Sequence, residues 1–251
     1  AAAISILGKD YTFKTEIQYD GLVSKSVLNG NLFMYTRYTG SIQIDTTVIG
    51  DSIILTSGLV IAKIDSTGNS IWAKNIDIFP IICGGLCPKH GFEIDSEENI
   101  LLAIPFSYFS IDGFEFNYIE GISQIAVIKI DVNGNILWYK IIKTNYVFES
   151  TPQIAISNES NIFIAIPFDE QIEVDYSFLE TSLPNLALLK INPNGQIISL
   201  NTLGMLNTGV DFRLNSLKID SSDNLYAVGS FRKSIEGYID LLQHFPSPQT
   251  K

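Results

Sequence analysis

Five-residue clusters of acidic, amide and hydroxyl side chains recur along this 251-residue chain. One set comprises Asp65-Ser66-Thr67-Gly68-Asn69, Asp131-Val132-Asn133-Gly134-Asn135 and Asn192-Pro193-Asn194-Gly195-Gln196. A second comprises Asp95-Ser96-Glu97-Glu98-Asn99, Ser157-Asn158-Glu159-Ser160-Asn161 and Asp220-Ser221-Ser222-Asp223-Asn224. Carboxylate and amide oxygens at this density are the ligands a calcium ion takes. The clusters lack the alternating acids and the closing glutamate of an EF-hand loop. The same residues also build turns. Asp or Asn at the first position bonds its own backbone two residues on, and Gly or Asn accepts a positive φ. Hairpin loops of three to five residues need both. The turn is the reading carried forward, with Asp65 shaping it and Gly68 and Asn69 tolerating it; a bound cation is the alternative.

Other reactive groups are sparse. Cys83 and Cys87 are followed by His90. A small disulfide ring, free thiols and part of a zinc site are the three readings of this cluster. The spacing and context are not those of a thioredoxin-like dithiol. The Cys83–Cys87 disulfide is the candidate carried forward; it implies an oxidising compartment and adds little loop entropy. With two histidines in the chain, general bases are few. No Gly-x-Ser-x-Gly, phosphate loop or His-Glu-x-x-His occurs. Glu115, Glu173 and Asp175 are carboxylates from which a glycosidase pair could be drawn, solvated surface being their plain reading. Trp72 and Trp138 each follow a cluster Asn by three residues. They either stack a sugar or pack between repeats, and packing is the expectation.

Net charge and composition narrow the classes. The chain has 27 acids against 16 bases, a formal charge of −11. A nucleic-acid backbone would be repelled, and no polybasic cluster exists for an anionic membrane. No apolar run is long enough to span a bilayer as a helix. A 46% hydrophobic content with only 17% charged residues supports a substantial core.

The clusters are also a ruler. First residues of the first set lie 66 and 61 residues apart, and those of the second set 62 and 63. An earlier, weaker copy of the second set ends at Asn31. Flanking segments repeat as well: Asn99–Phe106, Asn161–Phe168 and Asn224–Phe231 share one pattern. They are short, β-branched and bounded by turn residues, which predicts strands. No 3.6-period apolar stripe predicts a helix. Each unit reads as about four antiparallel strands plus a variable stretch, at residues 107–124, 169–185 and 232–248. A four-stranded sheet repeated at this period predicts a β-propeller blade, because stacking buries both faces of each sheet. Gly8 lies 60 residues before Gly68, so residues 1–20 are expected to complete the last blade.

With these residues in hand, the unit resembles the bacterial-type beta-propeller repeat often called the SBBP repeat. That family has an Asp-Ser-x-Gly-Asn turn before "NVYVTGSF"-like strands and a second turn within "VAKLDSSGNLLWAK"-like strands. Lys63–Lys74 and Lys129–Lys140 match closely, and Asp95–Phe106 and Asp220–Phe231 match well. The third unit departs, with Asn192-Pro193 for Asp-Ser and Ser199 where Trp72 and Trp138 stand. The resemblance covers most of the chain. It implies a propeller that is secreted or surface-associated and not catalytic.

The expectation is thus an all-β chain: a single domain over 1–251, a β-propeller of about four four-stranded blades at 23–78, 91–143, 152–203 and 216–251 plus 1–20. The N- and C-terminal strands share one blade and close the ring. The chain reads as a non-enzymatic binding or structural module, extracellular or on a cell, virion or particle surface, with a protein or glycan partner and no cofactor. A calcium- or carbohydrate-binding lectin-like propeller is one alternative. A glycoside hydrolase or lyase with its site in the propeller funnel is the other.

Overall fold

In a computed structural model the backbone is described at residues 2–6, 9–13, 23–26, 31–39, 41–44, 47–50, 57–67, 69–79, 91–117, 119, 122–144, 152–182, 185–205, 210–233 and 237–245. Side-chain surroundings are described at 31–35, 58–67, 69–77, 91–117, 119, 122–144, 152–182, 185–202 and 214–229. Among the described residues the protein is all-β, in several antiparallel sheets and without a helix.

The first strands are β1 (Ala2–Ile6) and β2 (Lys9–Phe13). The first repeat supplies β3 (Val23–Ser26), β4 (Leu32–Thr39), β5 (Ser41–Ile44), β6 (Thr47–Gly50), β7 (Ser57–Ile64) and β8 (Ser70–Phe79). The second supplies β9 (Gly91–Ile94), β10 (Ile100–Phe106), β11 (Tyr108–Ile111), β12 (Phe114–Phe116), β13 (Ser123–Ile130) and β14 (Ile136–Thr144). The third supplies β15 (Gln153–Ile156), β16 (Ile162–Phe168), β17 (Gln171–Val174), β18 (Ser177–Glu180), β19 (Asn185–Ile191) and β20 (Ile197–Met205). The last supplies β21 (Val210–Ile219), β22 (Leu225–Lys233) and β23 (Gly237–Phe245).

Two compact units emerge, one of residues 1–81 with 107–118 and the other of 82–106 with 119–251. In the first, the sheets run β1-β2-β5-β6 and β12-β11-β8-β7-β4-β3. In the second, they run β18-β17-β14-β13-β10-β9, β15-β16-β19-β20 and β21-β22-β23. The expected four-stranded unit is therefore present as β3-β4-β7-β8, β9-β10-β13-β14 and β15-β16-β19-β20. The variable stretches at 107–124 and 169–185 are not free loops. Each forms a hairpin on the outer strand of the repeat before it, β11 on β8 and β17 on β14. The hairpin β5–β6 sits on β2 in the same manner. Sheet edges are thereby extended from four strands to six in two sheets.

The terminal segments lie in different sheets, β1 and β2 with β5–β6, and β21–β23 together. β23 folds straight back onto β22, pairing Lys233 with Gly237. A local hairpin closes a far shorter loop than pairing with the opposite end of the chain. Gly8 lies outside the described residues, between β1 and β2, which pair tightly from Ile6 to Lys9.

Burial follows the strand's place in its sheet. β10 and β16 are buried at every residue and β13 at all but its first, whereas β14 begins with alternation. Strands covered on both faces read as continuous apolar runs. Each fully buried Phe106, Phe168 or Ile128 contributes about 1.5–3 kcal/mol. Pro105 and Pro167 sit inside such strands, where proline normally breaks a ladder. Their neighbours β9 and β15 are only four residues long, and the register of β9 ends at Ala103 and that of β15 at Ala165. Each proline thus lies past the end of the inner strand. In the last repeat β21 is ten residues long, and Ser230, standing where those prolines stand, pairs with Arg213.

The inner strands of the second unit lie side by side, with β15 between β9 and β21. A Cβ on Gly91 would sit 2.7 Å from the Pro152 carbonyl, so the β9–β15 approach needs glycine there. Lys218 on β21 reaches Glu93 on β9 at 3.1 Å. Ala155, Phe163, Ala165, Leu214, Leu217 and Leu225 join the third and fourth repeats in one apolar cluster.

A lysine recurs on the strand entering each first-set turn, and it is buried in two of the three. Lys129, 3% exposed, pairs with the buried Asp95 at 2.9 Å. Lys63, also buried, lies over the Phe33 ring, 5.1 Å from its centroid. Lys190 lies over Phe163 at the same distance. Where the second cluster begins with Asp, the cross-strand neighbour is Leu101; where it begins with Ser157, the neighbour is Phe163. An ammonium buried on a sheet needs either a carboxylate or an aromatic face. Replacing Asp95 with Ala should lower stability by about 3–5 kcal/mol, the cost of a buried unpaired charge. Asp95→Ser with Leu101→Phe, which copies the third repeat, should recover part of that loss in denaturant titrations; no recovery would contradict the exchange.

Candidate functional site

The acidic clusters were the strongest candidates for chemistry, and each is a five-residue hairpin loop. The first residue's N–H donates to the fifth residue's carbonyl at 2.8–3.0 Å in all six. The fourth position takes the left-handed conformation, at Gly134 and Gly195 in the first set (φ 88° and 84°) and at Glu98, Ser160 and Asp223 in the second. This is a type I turn followed by a left-handed bulge residue. Gly68 lies outside the described residues. The closing Asn99, Asn135, Asn161 and Asn224 are not left-handed, and Asn69 serves its loop through its side chain. Its amide, like those of Asn99, Asn135 and Asn224, donates to the free oxygen of the opening aspartate.

The aspartate oxygens are thus filled by donors. Asp131 Oδ1 accepts the N–H groups of Asn133 and Asn135, and Oδ2 accepts the Asn135 amide at 3.0 Å. Asp65 adds the Thr67 hydroxyl at 2.7 Å. Asp95 adds Lys129, and Asp220 adds the Tyr226 hydroxyl at 3.0 Å. Asn192 does the same through Oδ1, and its amide donates to Gln196. Ser157 keeps one such bond, to the N–H of Asn161, whose amide turns to Glu159. Calcium needs these lone pairs turned outward. Here they are turned into the loop. Among the described residues no group of three or more His, Cys, Asp or Glu is arranged to hold a metal.

Electrostatics follow from the donors. The N–H of Asn69 and the Thr67 hydroxyl hold Asp65 well below the ordinary carboxylate range. Burial pushes Asp95 and Asp131 up, but the donors of Asn99 with Lys129, and of Asn135 with Asn133, outweigh it and leave both lowered. The Asn224 side chain and N–H lower Asp220 to about 2, and the bond to Asp220 raises Tyr226. Asp169, at the foot of the β17–β18 hairpin, is pushed up instead, by burial and then by the charge of Glu170. Nothing in its sequence setting signalled that.

Loops of consecutive repeats also touch. Asn158 donates its N–H to Asp223 at 3.1 Å and its amide to the Ser221 carbonyl at 3.0 Å. Trp138 donates its indole N–H to the Pro193 carbonyl at 3.0 Å. A Cβ on Gly195 would lie 2.8 Å from the Trp138 ring. Trp138 therefore joins the outer strand of one repeat to the turn of the next. Trp72 lies against Phe33, ring centroids 6.1 Å apart.

The carboxylates singled out for hydrolysis divide. Asp175, with φ 49° at the hairpin tip, pairs with Lys140, and Glu173 pairs with Lys143 at 3.1 Å. Asp112, at the tip of β11–β12, pairs with Lys74 in the same way. Glu115 is exposed. The lysine two residues after each tryptophan thus holds the tip of the next repeat's hairpin, a clasp the sequence reading missed. Cys83, Cys87 and His90 lie outside the described residues, as does the side chain of His244.

Comparison with known protein families and with curated proteins finds no match to the chain.

A folded-state value near 2 for Asp220, against an ordinary 3.8, means its turn contributes stability above the ordinary value and loses it as pH falls through the folded one. Carbon-13 titration of the side-chain carboxyl should therefore show Asp220 ionised at pH 3. A midpoint at the ordinary value would contradict the donor arrangement.

Proposed function

We propose that the chain is a non-enzymatic β-propeller module of the SBBP-repeat-like family that binds a protein or glycan, outside a cell or on a virion or other particle surface. The repeat period, the four-stranded unit and the neighbouring inner strands β9, β15 and β21 support the propeller. In the closed form, four blades ring an axis, and β1–β2 complete the blade begun by β21–β22. The disulfide proposed for Cys83 and Cys87 belongs with an extracellular location.

One observation carries the binding reading. The carboxylates and amides of the five-residue loops are engaged in turns, and the hairpins leave aromatic side chains exposed beside acids such as Glu115 and Glu180. Tyr176 is fully exposed, and Phe114 and Phe178 are 44% and 49% exposed. Phe178 stands opposite Glu173 on the hairpin. Rigid aromatic side chains on a fixed scaffold are the usual anchors of a recognition surface.

The test is an array of glycans and proteins probed with the chain and with a Tyr176→Ala, Phe178→Ala variant. The expected result is at least one ligand, weakened about tenfold or more in the variant, with the melting temperature unchanged. No ligand, or a ligand indifferent to both substitutions, would contradict this reading and leave a scaffold.

A further inference from the structure

The hairpin β17–β18 carries a row of side chains that its place on β14 does not require. Register sets Lys143 of β14 opposite Glu173 of β17, and Glu173 opposite Phe178 of β18. Residues opposite each other on antiparallel strands share one face of the sheet. Lys143, Glu173 and Phe178 therefore stand side by side, on strands about 4.8 Å apart. Lys143 and Glu173 are partly exposed, and Phe178 is half-exposed. Lys143 Nζ donates to Glu173 Oε1 at 3.1 Å, which leaves the ammonium with further N–H donors. Glu173 Oε2 accepts no hydrogen bond among the described residues. On the inner side of the row, Gln124 stands opposite Lys143. Its buried carbonyl oxygen meets no donor among the described residues. The row thus holds more hydrogen-bonding capacity than folding uses.

The hairpin β11–β12 is the comparison. It joins β8 through the same kind of ladder, and Lys74 holds its tip. Its corresponding row nevertheless reads Asp77, Ser110 and Glu115. In β5–β6 the corresponding pair is Gln43 and Val48. Fastening a hairpin therefore does not call for Lys143, Glu173 and Phe178 as a set. The set is also held in place. Lys140 pairs with Asp175 at the tip, and at the foot the Thr181 N–H donates to the Glu170 carbonyl at 2.6 Å. Such preorganisation lowers the entropy lost on binding.

We propose that this row is a subsite for a neutral saccharide. Phe178 takes the C–H face of one pyranose ring, Glu173 accepts from a ring hydroxyl and Lys143 donates to another. A sugar offers both kinds of surface together, an apolar face and a rim of hydroxyls that donate and accept. A protein partner engages about 800 Å² of surface and needs no such gathering of ring, donor and acceptor on three adjacent strands. The Lys143–Glu173 pair is neutral as a unit, and a chain of charge −11 repels an anionic glycan. This inference rests on the binding reading above and names the ligand class of that site.

The test is titration of the nitrogen-15-labelled full chain with neutral oligosaccharides: malto-, cello-, manno-, galacto- and chito-oligomers. At least one should shift the amide signals of Lys143, Glu173 and Phe178 saturably. Phe178→Ala should weaken that binding about tenfold or more. Phe178→Trp, which keeps a ring face, should retain it, and Phe178→Leu, which keeps only apolar area, should lose it. Lys143→Met with Glu173→Gln should weaken it as well, with the melting temperature of each single Phe178 variant unchanged. No oligosaccharide moving these signals, or binding that survives Phe178→Ala or Phe178→Leu, would overturn the proposal. A protein ligand lost on Phe178→Ala, with no saccharide bound, would also overturn it while leaving the binding reading in place.

Discussion

The outer edge of each repeat's sheet is the constraint on which the rest depends. A strand at a sheet edge presents a row of N–H and C=O groups without partners. In this chain the answer lies in the next repeat, whose hairpin supplies the missing ladder for β2, β8 and β14. The pairing runs over only about three residues in the longer cases, so side chains must add to it. Lys74 and Lys140 hold the hairpin tips through Asp112 and Asp175, and Lys143 pairs across the strands with Glu173. Exposed pairs like these contribute little singly; their value is in placing the ladder in one register.

The same logic governs the residues that first suggested catalysis or metal binding. An aspartate opening a five-residue loop closes it by accepting two N–H groups on one oxygen and the closing amide on the other. The loops then touch across repeats, through Asn158 with Ser221 and Asp223, and through Trp138 with Pro193. Buried Lys129 draws its carboxylate from the adjacent loop. Polar chemistry is thereby turned inward to hold neighbouring repeats together, and aromatic side chains are among the groups the hairpins leave exposed.

Loops and strands were legible in the sequence because their signals are local. An Asp, a Gly and an Asn within five residues specify a bulged turn, and β-branched runs specify the strands beside it. The hairpins were not legible as latches, since their partners lie in another repeat. A signal did exist: Lys74 precedes Asp112 by 38 residues and Lys140 precedes Asp175 by 35. Lys9 and Asp45 repeat that spacing closely. Pro105 and Pro167 also marked where the inner strand ends, a clue usable only once the strand order is known. The sequence offers Asn69 for the left-handed position because Asn tolerates it; at Glu98, Gly134 and Asp223 the residue before the closing asparagine takes that position, and the asparagine amide bridges the opening carboxylate.

The central claim is that the hairpin of one repeat completes the outer strand of the repeat before it. Amide hydrogen exchange after Glu173→Pro tests it most directly, because proline in β17 removes a ladder donor and disturbs the pairing. Protection should fall together at Ile172 and Val174 and at Ile142–Thr144, while the amides between β10 and β13 remain protected. Unchanged protection at Ile142–Thr144 would contradict the account.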